Sequence, residues 1–290
     1  MKPTTLFFCP PLGPIRSRIR AYGSILKTQL AAGLQFRAAV WAQLSAPLFW
    51  GMVQVILIRI FFQFSENSAA GLNAGMTVAQ AVSYVWLAEV TLILLPSRPT
   101  DQEVWDKIRN GDIGIELCRP LDLYTHWFTR AIATRLIPFL LHLIPLTAIA
   151  MLLPEPYRLQ PPASVVGLLA CILTLGAGLL LSCSCLGITY AVLMKVHWGE
   201  GPANLILVLM DILSGSYLPL QLWPDWAQKL LIRQPFAGLM DIPLRFYVGT
   251  MAPEMVWKLV ALQLSWTVIL TAAGWFWIRK NLSRLVIQGG

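Results

Sequence analysis

Residues 163–194 read ASVVGLLACILTLGAGLLLSCSCLGITYAVLM and contain no charged side chain. A helix needs about 20 apolar residues to cross the hydrocarbon core of a bilayer, and one ionised side chain at its centre costs at least ~2.5 kcal/mol. The stretch is longer than one crossing requires, so we expect its end at Cys183–Met194 to tilt or to extend beyond the hydrocarbon. Residues 163–194 therefore predict a membrane-spanning helix.

Five further apolar runs indicate that the rest of the chain is built in the same way. The uncharged runs are Ala38–Ile58, Leu136–Leu153 and Leu259–Ile278, and the runs with one acid each are Met76–Leu95 (Glu89) and Gly201–Pro224 (Asp211). Of the 290 residues 57% are apolar and 12% are charged, and a soluble domain carries about 25% charged residues. The sequence predicts an all-α membrane protein with six transmembrane helices.

The lysines and arginines are unevenly distributed between the two sides that six spans define. Sixteen of the 22 lie before span one, between spans two and three, between spans four and five, or after span six, and six lie on the other side. Since basic residues concentrate in cytoplasmic segments, we expect both termini in the cytoplasm. The net charge of +8 is then a topology signal and a contact with anionic lipid headgroups, not a nucleic-acid site.

The segment before span one predicts an amphipathic helix in the inner membrane interface, over Ile15–Arg37. Its apolar residues recur at intervals of three and four, at Ile15, Ile19, Tyr22, Leu26, Leu30 and Leu34. The helix either anchors the N terminus or is an elbow that moves with span one. The chain accordingly divides into a cytoplasmic segment (residues 1–37), a transmembrane domain (residues 38–278) and a cytoplasmic basic tail (residues 279–290).

A short helix is expected between spans two and three. Thr100 and Glu103 have the spacing of a capping box, which begins a helix at Asp101, and Asn110–Gly111 ends it. Its apolar face carries Val104, Trp105 and Ile108. A partner protein can press on such a helix, and the alternative is a helix that only packs on the cytoplasmic ends of the bundle.

A broken stretch on the outer side follows span five. Gly215 and Pro219 interrupt the span, and Pro224 begins a new helix. The remaining landmarks of this stretch are Trp226 on the apolar side of that helix, Pro235 at its end, and Phe236 at the start of a further short apolar piece. These pieces are too short to cross, and irregular backbone at membrane depth needs protein or water beside it. We expect re-entrant or surface-lying helices here.

The sequence carries no recognisable catalytic group. No Gly-Lys pair occurs in the chain, so it contains no phosphate-binding loop and cannot itself be an ATPase of the phosphate-binding-loop class. The spacing of histidines and cysteines suggests neither a metal site nor a disulfide framework. An enzymatic function is therefore not expected.

Two acids and one histidine lie within the predicted spans. Because a buried carboxyl group must be neutral, paired or hydrated, Glu89 and Asp211 are candidates for a translocation path, together with His142. The structural alternative pairs the two acids with hydroxyl groups, with Arg135 or with a partner subunit. In that alternative His142 is a packed, hydrogen-bonded core residue.

Three stretches carry a resemblance to a known family. They are Ile108–Asp112 with Leu117 and Arg119–Asp122 after span two; Ser214–Gly215, Leu218–Leu220, Trp223–Trp226 and Gln234–Phe236 after span five; and Arg284–Gly290 at the end of the chain. From about Met76 onward the chain resembles the permease subunits of ATP-binding-cassette exporters of the second membrane class. It is most similar to bacterial six-span permeases that are encoded in pairs beside a separate ATPase.

The resemblance implies that the helix after span two is a coupling helix, seated in a groove of a nucleotide-binding subunit. Its apolar contacts would be Val104, Trp105 and Ile108, and its polar rim Lys107 and Arg109. Asp101 and Glu103 belong to the same coupling segment. The amphipathic N-terminal helix would be the connecting helix that flanks it.

The resemblance further implies an inner-membrane assembly of two permease chains, identical or related, with two ATPase subunits. ATP and Mg would bind to the ATPase, and this chain would hold no cofactor. The broken segment would close the outer mouth, through Gly215, Pro219, Pro224, Trp226, Pro235 and Phe236. Cargo would leave the cytoplasm or the inner leaflet between the two permeases, and an apolar lateral entry would suit a lipid or an amphiphilic compound.

Two other classes of function stay open at this point. An ion-coupled carrier would use Glu89 and Asp211 as coupling carboxylates and would transport without an ATPase. A membrane scaffold without transport activity would leave an ATPase unstimulated by any lipid or drug.

Overall fold

The computed structural model describes residues 15–35, 44–66, 75–96, 102–110, 113–117, 121–196 and 201–282. Within these ranges the chain forms helices and turns and has no strand, so the all-α class is confirmed. The helices are α1 (Ile15–Gln35), α2 (Ser45–Glu66), α3 (Val78–Thr91), α4 (Gln102–Asn110), α5 (Ile113–Leu117), α6 (Leu123–Leu152), α7 (Val165–Lys195), α8 (Gly201–Ser214), α9 (Asp225–Leu231), α10 (Asp241–Val248) and α11 (Val256–Leu282). Short 3₁₀ helices cover Leu92–Leu94, Leu220–Leu222, Pro235–Leu239 and Pro253–Met255.

Four helical stretches among the described residues are long and apolar enough to cross a membrane. They are Ser45–Phe64, Leu123–Leu152, Val165–Lys195 and Pro253–Leu282, and they correspond to predicted spans one, three, four and six. The second and fifth predicted spans are shorter helices, Val78–Leu94 and Gly201–Ser214. At 1.5 Å per residue these two reach about 25 Å and about 21 Å, less than the ~30 Å hydrocarbon core. By length, the structure therefore confirms four of the six spans.

The helix formed by the uncharged stretch, α7, lies at the centre of the bundle and packs against α6, α8, α10 and α11. Its last turns stay within the protein, because Tyr190, Leu193 and Met194 are buried and α4 packs against α7. The expected extension of this span is thus covered by the short helix that follows span two. The amphipathic helix α1 lies along α6.

Buried apolar side chains form two clusters, one at each end of the bundle. The inner cluster contains Leu44, Val104, Trp127, Tyr190 and Ile278. The outer cluster, at the other end, contains Trp86, Leu159, Leu239, Phe246 and Leu259. Leu44 immediately precedes α2, and Ile278 lies in the last turns of α11. The start of α2 and the end of α11 therefore lie on the side of the bundle that carries α4.

The helices of the bundle approach closely where one of them carries glycine. A Cβ atom built on Gly178 of α7 would lie 2.8 Å from the main-chain oxygen of Gly238. Gly187, farther along α7, faces the Tyr124 ring in the same way, at 2.7 Å from its Cε2. Small residues permit such contacts, and membrane helices rely on them because lipid supplies no hydrophobic driving force for helix association.

Replacement of Gly178 by alanine should destabilise the protein, because a methyl group would overlap a main-chain atom that cannot move aside. We expect a loss of about 1–3 kcal/mol. Gly176→Ala is the matched control, since it lies two residues away on the same helix and its Cβ would meet nothing within 4 Å. Thermal unfolding in detergent measures both. Equal melting temperatures for the two variants would contradict the packing of α7 against the segment that contains Gly238.

Candidate functional site

A network of charged side chains attaches α4 to the membrane helices, and we call it the inner polar network. The Lys107 ammonium group donates to Glu103 Oε1 at 2.6 Å and to Glu116 Oε1 at 2.8 Å. The other carboxylate oxygen of Glu103 accepts from Arg130 of α6. The other oxygen of Glu116 accepts from the indole nitrogen of Trp127, also on α6. Two carboxylates thus connect α4, α5 and α6.

The members of the inner polar network keep their charges at neutral pH. Hydrogen bonds from Arg130 and Lys107 lower the pKa of Glu103 to about 2. Burial would raise the pKa of Glu116, but hydrogen bonds from Lys107 and Trp127 outweigh it, and the pKa is lowered. Burial would likewise lower the pKa of Lys107, but its bonds to the two carboxylates raise it. The ion pairs of Glu103 persist until the pH falls toward its own folded pKa.

The apolar side of α4 faces the protein's own bundle. Val104 is completely buried and Ile108 is 9% exposed, both within the inner cluster. The prediction that these two side chains contact a partner stays a prediction, and in the structure both pack into the protein's own bundle. Trp105 is half-buried at the edge of the same cluster.

The opposite side of α4 is exposed and polar. Asp106, Arg109 and Asn110 are exposed, and Glu103 is exposed at its outer edge. We call this surface, together with the accessible part of Trp105, the α4 outer face. Asp101 and the Thr100 cap of the predicted segment lie outside the described residues.

Polar contacts continue from α6 to α11 at the same end of the bundle. Asp122 Oδ2 accepts the main-chain N–H of Thr125 at 3.0 Å and so begins α6. Its other oxygen accepts from Arg279 Nη2 of α11 at 3.1 Å. The Arg279 guanidinium also lies 3.7 Å from the centre of the Trp275 ring. Helix α6 therefore joins the inner polar network to the last membrane helix.

A second network lies in residues 215–255, between α8 and α11, which we call the outer segment. We call this network the outer polar network. Asp241 is completely buried, and its Oδ1 accepts the main-chain N–H of Leu220 at 3.0 Å. The Tyr84 hydroxyl lies 3.2 Å from the same oxygen and 3.0 Å from the Gly215 carbonyl oxygen. Arg245 Nη1 lies 3.5 Å from Asp241 Oδ2. One carboxyl group thus connects α3 with the chain on both sides of α9.

The residues predicted to form the outer gate surround this network or lie at the surface. Helix α8 ends at Ser214, where the sequence predicted the break, and Gly215 has φ +86°. A Cβ atom on Gly215 would lie 2.7 Å from the Tyr84 oxygen, so glycine is required here. Pro219 is buried, Pro235 and Phe236 are half-buried, and Pro224 and Trp226 are exposed.

The three ionisable residues predicted for a translocation path lie on three different helices. Glu89 of α3 is 5% exposed and its Cγ would lie 3.2 Å from a Cβ atom on Gly51 of α2. His142 Nδ1 lies 2.8 Å from the Pro138 carbonyl oxygen of its own helix, α6. Asp211 of α8 is half-buried. Among the described residues no three His, Cys, Asp or Glu side chains form a group that could hold a metal ion.

Sequence reasoning missed Tyr84, Glu116, Arg130 and Asp241, the residues on which both networks depend. Tyr84 and Asp241 are 157 positions apart, and Arg130 and Glu103 are 27 apart. Asp241 lies two residues before Pro243 in a short apolar stretch of sequence. An acidic residue within an apolar stretch is the one sequence feature that could have identified Asp241 as a functional or structural site.

Comparison with known proteins assigns a family. The family described as ABC-2 family transporter protein matches residues 48–289. No curated protein and no solved structure matches the chain. The matched range begins in α2 and includes α4 with the inner polar network, as well as the whole outer segment.

Removal of the Asp241 carboxyl group should destabilise the outer segment. Asp241→Ala leaves the Leu220 N–H without its acceptor and Arg245 without its counter-charge, at an expected cost of about 3–5 kcal/mol. Asp241→Asn keeps one acceptor oxygen and should lose less. Asp225→Ala is the matched control, since Asp225 is an exposed acid of the same segment. Melting temperatures in detergent test the order, and an unchanged Asp241→Ala variant would contradict the network.

Proposed function

The chain belongs to the ABC-2 transporter family, and from this premise we propose that it is the permease of an exporter driven by ATP hydrolysis in a separate subunit. Members of this family are typically non-catalytic membrane components that associate with an ATP-binding subunit. The sequence has no phosphate-binding loop, so ATP and Mg would bind to that partner. The absence of the loop and the exposed α4 outer face both support this division of labour.

We assign the docking surface for the ATPase to the α4 outer face. The observation that carries this assignment is the two-sided character of α4: Val104 and Ile108 hold it on the bundle, and Asp106, Arg109 and Asn110 point away from it. Polar and charged contacts with an aromatic residue at the centre are typical of protein interfaces. Trp105 would supply the central aromatic contact.

The inner polar network would transmit the movement of the ATPase to the membrane helices. Lys107 and Glu103 connect α4 to α6 through Glu116 and Arg130. Because Asp122 then joins α6 to α11 through Arg279, a displacement of α4 would act on predicted spans three and six together.

We propose that α3 and α8 also cross the membrane, which gives six spans with both termini in the cytoplasm of a bacterial cell. Each of the two helices runs from one cluster to the other: α3 carries Trp86 of the outer cluster, and its 3₁₀ extension carries Leu94 of the inner cluster. Ala203 at the start of α8 lies in the inner cluster, and Leu213 near its end packs on the outer cluster.

The cargo would be a lipid or an amphiphilic compound that passes between two permease chains. Exposed apolar side chains cover one side of α2 and of α8, including Phe49, Leu57, Leu205 and Leu209. Such surfaces suit lipid or a second permease, identical or related. The outer segment, held by the outer polar network, would close the path on the far side.

Charge reversal on the α4 outer face should release the ATPase without affecting the fold. For Asp106→Lys with Arg109→Glu we expect at least about tenfold less co-purified ATPase, because like charges would meet at the interface. The matched control is Glu155→Lys with Arg158→Glu, an exposed acid and base with the same spacing at the opposite end of the molecule. Ile108→Asp is unsuitable for this purpose, since Ile108 is buried.

Undiminished ATPase binding by the reversed variant would refute the docking surface. Transport in proteoliposomes that contain an ion gradient and no ATPase would refute the proposed energy source and favour a carrier.

Loss of the ion pair between α4 and α6 should separate binding from transport. In Arg130→Gln the ATPase still binds to the α4 outer face, but the coupling of ATP hydrolysis to transport should fall roughly 2- to 30-fold. Thr129→Ala is the matched control, because its hydroxyl bonds only its own helix, at Thr125. Transport per ATP hydrolysed is the measurement, and an unchanged ratio in Arg130→Gln would exclude this route of transmission.

A further inference from the structure

The last membrane helix, α11, provides a measure of depth in the bilayer. Exposed tryptophans lie near its two ends, Trp257 at the outer end and Trp277 at the inner end. They are separated by about 30 Å of helix, which is roughly the thickness of the hydrocarbon core, and tryptophan is enriched at both membrane surfaces. No charged residue lies between Lys258 and Arg279. The position of a residue along α11 therefore indicates its depth.

The turn that follows α9 lies near the middle of the bilayer by this measure. The indole nitrogen of Trp266 donates to the Arg233 carbonyl oxygen at 3.0 Å, and Trp266 lies about 13.5 Å along α11 from Trp257. Gln234 Nε2 of the same turn donates to the Leu213 carbonyl oxygen of α8 at 2.9 Å. Leu213 lies about 18 Å along α8 from its first residue, and the first turn of α8 contributes to the inner cluster. The two depths, one from each side, add up to roughly one hydrocarbon core.

Arg233 is the charged residue of this turn. Its main-chain groups are both bonded, because the N–H donates to the Leu230 carbonyl oxygen at 3.1 Å and the carbonyl oxygen accepts from Trp266. Its side chain, in contrast, is exposed. No ion pair to Arg233 is present in the part of the chain that the structure describes. A cation is thus presented on the surface of the protein at the level of the bilayer centre.

An exposed guanidinium group at this depth does not suit contact with lipid tails. Arginine stays charged in proteins, and a charge at the bilayer centre is costly unless it faces water, a cavity or a counter-charge. The side chain is too short to bring its charge from the middle of the core to the outer headgroups. Residues 232–234 are moreover a turn, and irregular backbone occurs at membrane depth only inside protein or beside water. The exposed side of the turn therefore calls for water.

Helix α9 descends to this turn from the outer side of the membrane. Gln228 Nε2 of α9 donates to the Gln221 carbonyl oxygen at 2.8 Å. The Gln221 side chain in turn lies beside Gly75, which precedes α3 at its outer end. Six residues after Gln228, the chain has reached the Leu213 carbonyl oxygen near the bilayer centre. A cavity along the exposed side of α9 would consequently open to the outside of the cell.

The charges along this descent differ in depth. Asp225 begins α9 near the outer surface, Lys229 follows about one turn later, and Arg233 lies in the turn near the centre; all three are exposed. The deep end is therefore positive, and low-dielectric walls strengthen the attraction of such a site for anions. A guanidinium group binds phosphate or carboxylate through two parallel hydrogen bonds. The chemistry at the deep end suits the acidic group of a ligand.

We propose that Arg233 forms an anion-binding site in a water-filled cavity that opens to the outer side and reaches the middle of the membrane. The site receives the phosphate or carboxylate group of the exported amphiphile on its way out. The role in export rests on the proposed function, whereas the cavity and its charge do not.

Cysteine labelling tests the cavity, in right-side-out membrane vesicles that contain the permease with its ATPase but no ATP. A membrane-impermeant thiol reagent added outside should modify Arg233→Cys at least about tenfold faster than Ser265→Cys, because a thiol surrounded by lipid does not ionise to the reactive thiolate. Ser265 is the matched control for depth, since it is exposed and adjoins Trp266 on α11. Labelling of the wild type gives the background. Equal rates for the two variants would overturn the cavity.

A second reporter, Leu230→Cys, tests the charge of the site and leaves Arg233 in place. Leu230 is exposed and lies one turn before Arg233. We expect a sulfonate reagent to react faster than a quaternary-ammonium reagent, and the ratio of the two rates to fall at least about fivefold when Arg233→Gln is added. Arg158→Gln removes an exposed arginine elsewhere and should leave the ratio unchanged. An unchanged ratio in Arg233→Gln, or no labelling of Leu230→Cys at all, would overturn the anion site.

Export in proteoliposomes tests the role of the site in transport. Dodecyl phosphate and dodecyltrimethylammonium share one alkyl chain and differ in the sign of the headgroup. We expect ATP-driven export of the phosphate by the wild type, at least about tenfold less export by Arg233→Gln, and partial export by Arg233→Lys, which keeps the charge but not the paired hydrogen bonds. Equal export of the phosphate by the wild type and Arg233→Gln, or export of the cation alone, would overturn the role in export.

The labelling and export results separate this site from the proposed function. Labelling requires neither ATP nor cargo, so Arg233-dependent labelling without export of either probe would refute the anionic cargo and leave the anion site in place. ATP-driven export of the phosphate without labelling at Arg233→Cys or Leu230→Cys would support the proposed function and refute the site.

Discussion

The pairing of Lys107 with Glu103 and Glu116 is the interaction on which the inner end of the molecule depends. A helix of nine residues such as α4 is marginal by itself in water, because the nucleation cost exceeds what its few hydrogen bonds return. It persists because Val104 and Ile108 are buried in the inner cluster and because two carboxylates hold Lys107 beside α5 and α6. The helix is thus part of the bundle, and whatever presses on its outer face presses on α6.

The two polar networks connect helices at opposite ends of the bundle, and they do so with different chemistry. The inner polar network is partly exposed and consists of ion pairs, which water and salt can weaken. The outer polar network surrounds Asp241, which is completely enclosed and is held by a main-chain N–H, a phenol and Arg245. Between the two networks the helices contact one another through small residues such as Gly178 and Gly187.

The sequence predicted the elements well and their partners poorly. Charge-free runs located α2, α6, α7 and α11, and Gly215 located the end of α8, because both signals are local. The face of α4 was predicted, but its orientation was not: an apolar stripe looks the same whether it contacts a partner or its own bundle. Asp241 escaped notice because its contact with Tyr84 joins residues 157 positions apart. A short stretch of sequence contains no record of such a pairing.

The buried charges at the two ends differ in one respect that bears on mechanism. The Asp241 carboxyl group finds its partners within the chain, whereas the Nε and Nη1 atoms of Arg135 find none among the described residues. Arg135 shares α6 with Arg130, so a displacement that reaches Arg130 from α4 also shifts Arg135 by a similar amount. The unpaired donors of Arg135 therefore lie on the same helix that receives the ion pair from α4.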